Sequence, residues 1–485
     1  MRSRLLFCAL ASCLGGCQSL ALDITAGAPD GSILSDAHAR FDGDARAHGE
    51  ASPTTETGTR DTGATCTPRD AACGDATAPF FCSANTSQAS FPLQLTGTSN
   101  PRFTSGVATR NANRAFLFSG LAATDAGSAC AIYAQAFDLA ADGGALGAAA
   151  SLYAPSPPNA AGLFVHDVAT APSGVILLVY GFGGGPAKRP ELTNEGPLYA
   201  LFLRAVPGAG GGGSGVAGLS VVGSVVLDSA TNLYGQAHAL WDDTAGVFHV
   251  SWERPTGSFD DAGIYSVRVQ TLAPDGGIVA GEGYAQVPVA SDGAHILNAG
   301  TEQGSVGVTG GVLGVAYVDL NAVSPEVALL AGSGLSDTLV GVGDAGDPPF
   351  VTIAGTPSGL VYVRYIYNGQ TLVTELVTIQ DGGATRVGAG TSTGGPSDIF
   401  RARAVGDNAG GGVGVALLHS ADVAFAYVSP NAQLLLMADT SLPRYSDGGP
   451  LDELGVGSFG GSFIFSVYSN AQHRVTAAVS GCTPP

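Results

Sequence analysis

The sequence predicts an all-β fold built from seven tandem copies of one unit, and three observations carry that prediction. A short phrase recurs seven times between residues 103 and 470: a turn, then four to six apolar residues, usually ending on an aromatic. The copies end at Phe118, Tyr180, Trp252, Tyr317, Tyr365, His419 and Tyr468, at a mean spacing of about 58 residues. Six of the seven follow a glycine-bearing turn, at Gly174, Gly246, Gly310-Gly311, Gly359, Gly411-Gly412 and Gly460-Gly461; the first follows Asn111-Ala112-Asn113. Glycine accounts for 72 of 485 residues, and charged residues for only 12%. That glycine share is about double the usual one and points to many tight turns joining short strands. Units of this length stack because none can bury its apolar face alone. The expected architecture is therefore a single β-propeller of seven four-stranded blades.

From the N-terminus, Met1-Arg2-Ser3-Arg4 is a short basic stretch, followed by an apolar run over residues 5–14. The run is too short to span a bilayer as a helix, which takes about 20 apolar residues, and reads as an export signal. It leads into Leu14-Gly15-Gly16-Cys17, which resembles the bacterial lipobox. Cys17 would receive a diacylglycerol thioether, and its freed amine a further acyl chain, which together anchor stably where one chain would not. Leu10-Ala11-Ser12-Cys13 fits the same pattern but leaves a shorter signal, so Cys17 is preferred. By the same resemblance, Gln18 in place of aspartate implies the outer membrane, on its periplasmic or surface face.

The expected domains are a lipoprotein signal peptide at 1–16, a lipidated tether at 17–78 and the propeller at 79–485. The tether is rich in Ala, Gly, Asp, Ser and Thr with one aromatic, Phe41. It cannot bury enough apolar surface to offset its ordering entropy and is expected to be disordered. Asp42-Gly43-Asp44 lacks the other ligands of a calcium loop.

Each propeller unit reads as an antiparallel meander. An inner strand such as residues 164–169 precedes the turn and the aromatic-ended strand. A further apolar strand follows, as at 132–137, 198–203 and 264–269. Asp-Gly-Gly at Asp142, Asp275 and Asp381 marks a hairpin in three units, since Asp-Gly favours two-residue turns. The strand-end aromatics are expected to pack between neighbouring blades. The last unit ends after its third strand, and an open outer edge would template aggregation. Residues 89–95 belong to no other unit and are expected to supply the missing strand; Pro92 is tolerable at an edge. That closure brings Cys82 close to Cys482, and a disulfide there would stabilise the closed ring. Cys66 and Cys73 then form the local pair, and Cys130 is left as a thiol. Pairing among Cys66, Cys73 and Cys82 within the tether is the competing arrangement.

Glycine-rich motif matches carry little. Gly341-Val342-Gly343-Asp344-Ala345-Gly346 matches a dinucleotide fingerprint without the helix it needs. Gly390-Thr391-Ser392-Thr393-Gly394 matches a nucleophile elbow but lies within a β-repeat. No zinc spacing occurs, and no catalytic residue, metal or cofactor is assigned. One constellation stands out by register. Counting eight residues back from the turn glycines gives His166, His238 and Arg403, with His295 on the matching strand by looser alignment. These four are the candidate channel ring. Neutral imidazoles there could bind a metal or do acid–base work, although spacing fixes no carboxylate partner.

The phrase from Trp241-Asp242-Asp243-Thr244-Ala245-Gly246 through Val247-Phe248-His249-Val250-Ser251-Trp252, running on to Ile264-Tyr265 and Asp275-Gly276-Gly277, resembles the repeats of envelope lipoproteins in GC-rich soil bacteria. That resemblance implies a propeller and an envelope location, and no particular chemistry. Forty acidic against twenty basic residues give a net charge of −20, which disfavours nucleic acid and anionic lipid surfaces as partners. The function expected is a non-catalytic module, a monomer held to the membrane by its lipid alone, binding a glycan, peptide or protein. The alternative is a propeller-type glycan hydrolase or lyase acting at the central channel.

Overall fold

A computed structural model describes the strands named below, the short turns at 112–113, 171–174, 243–246, 273–277, 310–311 and 357–358, and a few flanking residues, all between positions 81 and 483. They belong to one unit, residues 76–485. The segments expected to form the signal and tether, with Cys13, Cys17, Cys66 and Cys73, lie outside the described residues, as does His295. Among the described residues every regular element is a β-strand.

Two short N-terminal pieces are β1 (Phe81–Cys82) and β2 (Phe91–Pro92). The first sheet holds β3 (Phe103–Asn111), β4 (Arg114–Leu121), β5 (Ala131–Asp138) and β6 (Ala150–Tyr153). The second holds β7 (Gly162–Thr170), β8 (Val175–Gly183), β9 (Leu198–Ala205) and β10 (Leu219–Asp228). The third comprises β11 (His238–Asp242), β12 (Val247–Pro255), β13 (Tyr265–Leu272) and β14 (Ala285–Gln286). The fourth comprises β15 (Ser305–Thr309), β16 (Val312–Asp319), β17 (Glu326–Ala331) and β18 (Ser336–Leu339). The fifth is β19 (Phe350–Thr356), β20 (Gly359–Ile366), β21 (Thr371–Gln380) and β22 (Gly383–Thr393). The sixth is β23 (Ile399–Gly406), β24 (Val413–His419), β25 (Val423–Val428) and β26 (Leu434–Asp439). The last has β27 (Glu453–Phe459), β28 (Ser462–Ser469) and β29 (Arg474–Thr483) from the C-terminus.

Each sheet is an antiparallel meander in chain order. The inner strands β3, β7, β11, β15, β19, β23 and β27 touch in sequence, and β27 touches β3 again. Seven sheets closed into a ring through their first strands form a β-propeller. Ring closure uses both ends of the chain. β1 and β2 both pair with β29, the first placing Cys82 opposite Cys482 and the second Phe91 opposite Ala477. Of the segment 89–95, the described residues Phe91–Pro92 join the last sheet, and Phe81–Cys82 makes a second short contact on the same edge.

The turns explain the recurring glycines. Thr309 pairs with Val312, leaving Gly310 and Gly311 as a two-residue turn with φ of 55° and 77°. Both values lie where a side chain is strained and glycine is not. Ala112 at φ 49° takes the corresponding place in the first unit.

The core lies between the sheets. Phe118, Tyr180, Trp252 and Tyr468, which end their repeats, are all buried. Apolar clusters join the first sheet to the second, the second to the third, the fifth to the sixth, the sixth to the seventh and the seventh to the first. Aromatic pairs cross these seams: Tyr153 with Tyr180 at 6.0 Å, Phe202 with Phe248 at 6.2 Å, and Phe425 stacked on Phe465 at 4.0 Å. Cys130 is buried within the first of the clusters as a thiol, without a disulfide.

Nearer the axis, hydroxyls and one carboxylate lace neighbouring sheets. Ser105 Oγ accepts the Val165 N–H at 2.6 Å, and Asp167 Oδ2 accepts that of Ala239 at 2.6 Å. Thr309 Oγ1 donates to the Thr356 carbonyl at 2.7 Å, while Thr352 Oγ1 accepts from Ala404 N–H at 3.0 Å. Ser458 Oγ donates to the Gly406 carbonyl at 2.9 Å, and Ser466 Oγ accepts from Ala108 N–H at 3.0 Å. These bonds satisfy inner-strand groups that a curved ring leaves without ladder partners.

Candidate functional site: the central channel

A cavity of about 270 Å³ occupies the ring axis. Every inner strand contributes to its wall: Thr109 from β3, Asp167 from β7, His238 from β11, Val308 from β15, Ile353 from β19, Arg403 from β23 and Val456 from β27. On β3, β7, β19, β23 and β27 the lining comes from the middle and C-terminal portions, and Pro172 and Asp243 add to it, so the cavity extends toward the turns.

The polar residues form a cross-channel latch. Arg403 is 3% exposed and Asp167 is 3% exposed, and the guanidinium Nη2 is ion-paired with Asp167 Oδ2. Arg403 Nη1 donates to the Leu454 carbonyl at 3.0 Å and more weakly to that of His166 at 3.5 Å. Asp167 Oδ1 also accepts the Val168 N–H at 2.6 Å. One pair therefore ties the sixth sheet to the second and seventh, and through Ala239 to the third. Burial pushes the Asp167 carboxyl up; the Arg403 charge and the two N–H donors oppose this without cancelling it.

The two histidines beside the latch are held neutral. Burial, then the Arg403 charge, pushes His166 down to about 4. The same causes, with His166 itself, push His238 well below the ordinary imidazole value. His238 Nε2 is buried without a hydrogen-bond partner among the described residues. An imidazole kept neutral beside a guanidinium is a poor cation ligand, because any metal would meet the arginine charge.

Three of the four ring candidates thus lie on inner strands beside the axis. His238 and Arg403 line the cavity, whereas His166 is buried behind it. The cause is a β-bulge. Val165 pairs with Tyr180 and Asp167 with Val179, so His166 is the extra residue and its neighbour faces the channel instead. Asp167, the carboxylate that counting could not find, is displaced from the expected register by that insertion.

Trp241 and Asp243 are further lining residues that the register count missed. The Trp241 indole N–H donates to Asp243 Oδ1 at 2.6 Å, and the ring stands edge-on to Phe248 at 4.7 Å. Trp241 sits within the phrase that carried the family resemblance, which assigns it no role. A separate network lies on the third sheet. His249 Nδ1 bonds Thr271 Oγ1 at 2.9 Å, and its Nε2 lies 3.5 Å from Asp242 Oδ2. Asp242 Oδ1 accepts the N–H groups of Thr244 and Ala245, at 2.8 and 3.1 Å. Burial would raise the Asp242 carboxyl, but the His249 bond and these donors outweigh it and hold the group low. All three side chains are buried, so this is a strap over the turn rather than an open nucleophile.

No protein-family model and no curated protein sequence matches the chain. Solved structures with a similar arrangement include a prolyl endopeptidase, at 12% identity and TM-score 0.36, covering 78% of this chain and 50% of that one. A Trypanosoma rangeli sialidase mutant with trans-sialidase activity is similar at 10% identity and TM-score 0.40, covering 81% of this chain and 59% of that one. The GH93 α-L-arabinofuranosidase of Fusarium graminearum is similar at 12% identity and TM-score 0.39, covering 65% and 92% respectively. The chain spans only about half the length of the first two. No residue role passes from any of them to this chain.

Proposed function

We propose that this is an exported, lipid-anchored binding module of the outer membrane whose central cavity receives the end of a neutral glycan without turning it over. The observation that carries the reading is the electrically spent floor of the cavity. A phosphate or carboxylate ligand would find Arg403 already engaged by Asp167, and a metal would find a single imidazole, His238, beside that guanidinium. What is left for a ligand is aliphatic wall, including Val168, Val306 and Val405, together with hydroxyls and the Trp241 indole. Such surfaces suit the C–H faces and hydroxyls of an uncharged sugar. The location rests on the signal-like residues 1–16 and the lipobox-like Cys17.

The hydrolase or lyase alternative is less well supported. Hydrolysis takes two carboxyl groups about 5 to 9.5 Å apart across the scissile bond. The carboxylates on the described lining are Asp167, held by Arg403, and Asp243, accepting the indole N–H. A glycan-array screen of the whole protein tests the reading. Neutral glycans should bind, and Trp241→Ala should weaken binding about tenfold with cooperative unfolding retained. Preference for sulfated or acidic glycans, or binding indifferent to the Trp241 change, would defeat it. Release of cleaved product would return the enzyme.

A further inference from the structure

The outer strands of the seven sheets are not alike. β6 has 4 residues, β14 has 2 and β18 has 4, lengths that present little edge. β10 has 10 residues, and the stretch Leu219-Ser220-Val221-Val222-Gly223-Ser224-Val225-Val226-Leu227 carries no charge. Among the described residues it is the outermost strand of the second sheet. Four of the five exposed large hydrophobic residues among those described, Val206, Val221, Val222 and Val226, lie on or beside it, at 37% to 50% exposure. The acid at its end is turned inward: Asp228 is buried, accepting the Trp252 indole N–H at 3.0 Å with Arg268 3.7 Å away. Long, uncharged, β-branched edges are templates for another strand.

We infer that β10 pairs with β10 of a second copy of this chain, antiparallel about a two-fold axis at Gly223, giving a dimer in place of the monomer expected from sequence. Two features select this occupant. The stretch is nearly self-complementary about Gly223, as an isologous contact demands. The two-fold sets Leu219 opposite Leu227, Val221 opposite Val225, Ser220 opposite Val226 and Val222 opposite Ser224, with no charge in any pair. The electrostatics agree, because each chain carries −20 and two copies can approach with least repulsion along a neutral strip. Bulges at Val222 and Leu227 bend the strand while leaving Gly223 to Val226 in regular register with β9. The contact is one strand wide, so the dimer is concentration-dependent.

Sedimentation equilibrium of the whole protein should show a monomer–dimer equilibrium that strengthens from low to physiological salt, as screening weakens the mutual repulsion. Val222→Lys with Val226→Lys should abolish it with cooperative unfolding retained. Should that variant not fold, Gly223→Cys supplies a second readout. A Cβ there meets nothing within 4 Å, and a residue on the two-fold faces its own copy. Oxidised glutathione should then convert two such thiols into one intermolecular disulfide, with two glutathione thiols formed in exchange. A monomer at every concentration and salt, or no cross-link through that cysteine, overturns the inference. Binding of a synthetic Leu219–Leu227 peptide by a persistently monomeric protein would overturn self-pairing in favour of another protein's strand.

Discussion

At the scale of single residues, the channel couples ring stability to proton uptake. An imidazole whose folded pKa lies below 6.5 contributes its full stabilisation above that pH, where both states are neutral. The contribution is lost as pH falls from 6.5 toward the folded value, which for His166 is about 4. His238 is depressed in the same direction. Asp167 acts oppositely: its carboxyl is raised above 3.8, so taking up a proton favours the fold in the acidic part of the window. Each neutral imidazole steepens the acid loss by about 1.4 kcal/mol per pH unit. His238→Gln should therefore flatten stability against pH between 6.5 and 4, measured by denaturant unfolding at several pH values. An unchanged slope would mean that proton uptake occurs elsewhere. The register count reached His166, His238 and Arg403 because turn-to-channel distance is local. It could not reach Asp167, since a bulge is a property of two paired strands, and the residues flanking His166 carry no mark of it.

At the scale of strands, glycine does two different jobs that composition cannot separate. Gly310 and Gly311 supply turn angles, and their spacing from the next apolar run made the repeats legible. Gly355 and Gly406 sit inside inner strands with ordinary angles and are needed for closeness. A Cβ on Gly355 would overlap the Val308 backbone, and one on Gly406 the Gly355 backbone. Three successive inner strands, β15, β19 and β23, thus approach to backbone contact on the cavity wall. Gly355→Val should force them apart and leave little soluble, cooperatively folded protein, whereas Gly246→Asn, at φ 69° in a turn with open space around it, should fold. Comparable thermal unfolding of the two variants would show that the approach is not required. Strand order and the strand-end aromatics were readable because each turn, apolar run and closing aromatic follow one another within a dozen residues. The close approaches were not readable, because they join residues about fifty positions apart.

At the scale of the whole molecule, the ring is held at one seam by pieces from both chain ends. The other sheets are continuous chain, so opening any of them breaks a meander; the last sheet loses only β1 and β2 when its edge frays. Those pieces are two residues each, too short to hold on ladder bonds alone. Cys82 lies directly opposite Cys482 there. Directly paired antiparallel residues have Cα atoms about 4.5 to 5.5 Å apart, within the span that a disulfide bridges. In the oxidising compartment that the proposed export entails, the two thiols would pass two electrons and two protons to a thiol–disulfide oxidant. The closed loop of about 400 residues then stabilises the ring by about 6 kcal/mol on the chain-entropy model. Peptide mapping without reductant should recover Cys82 joined to Cys482, and reduction should lower the unfolding temperature of the parent but not of Cys82→Ser. Cys482 recovered as a thiol, or joined to Cys130, would leave the seam closed by strand pairing alone.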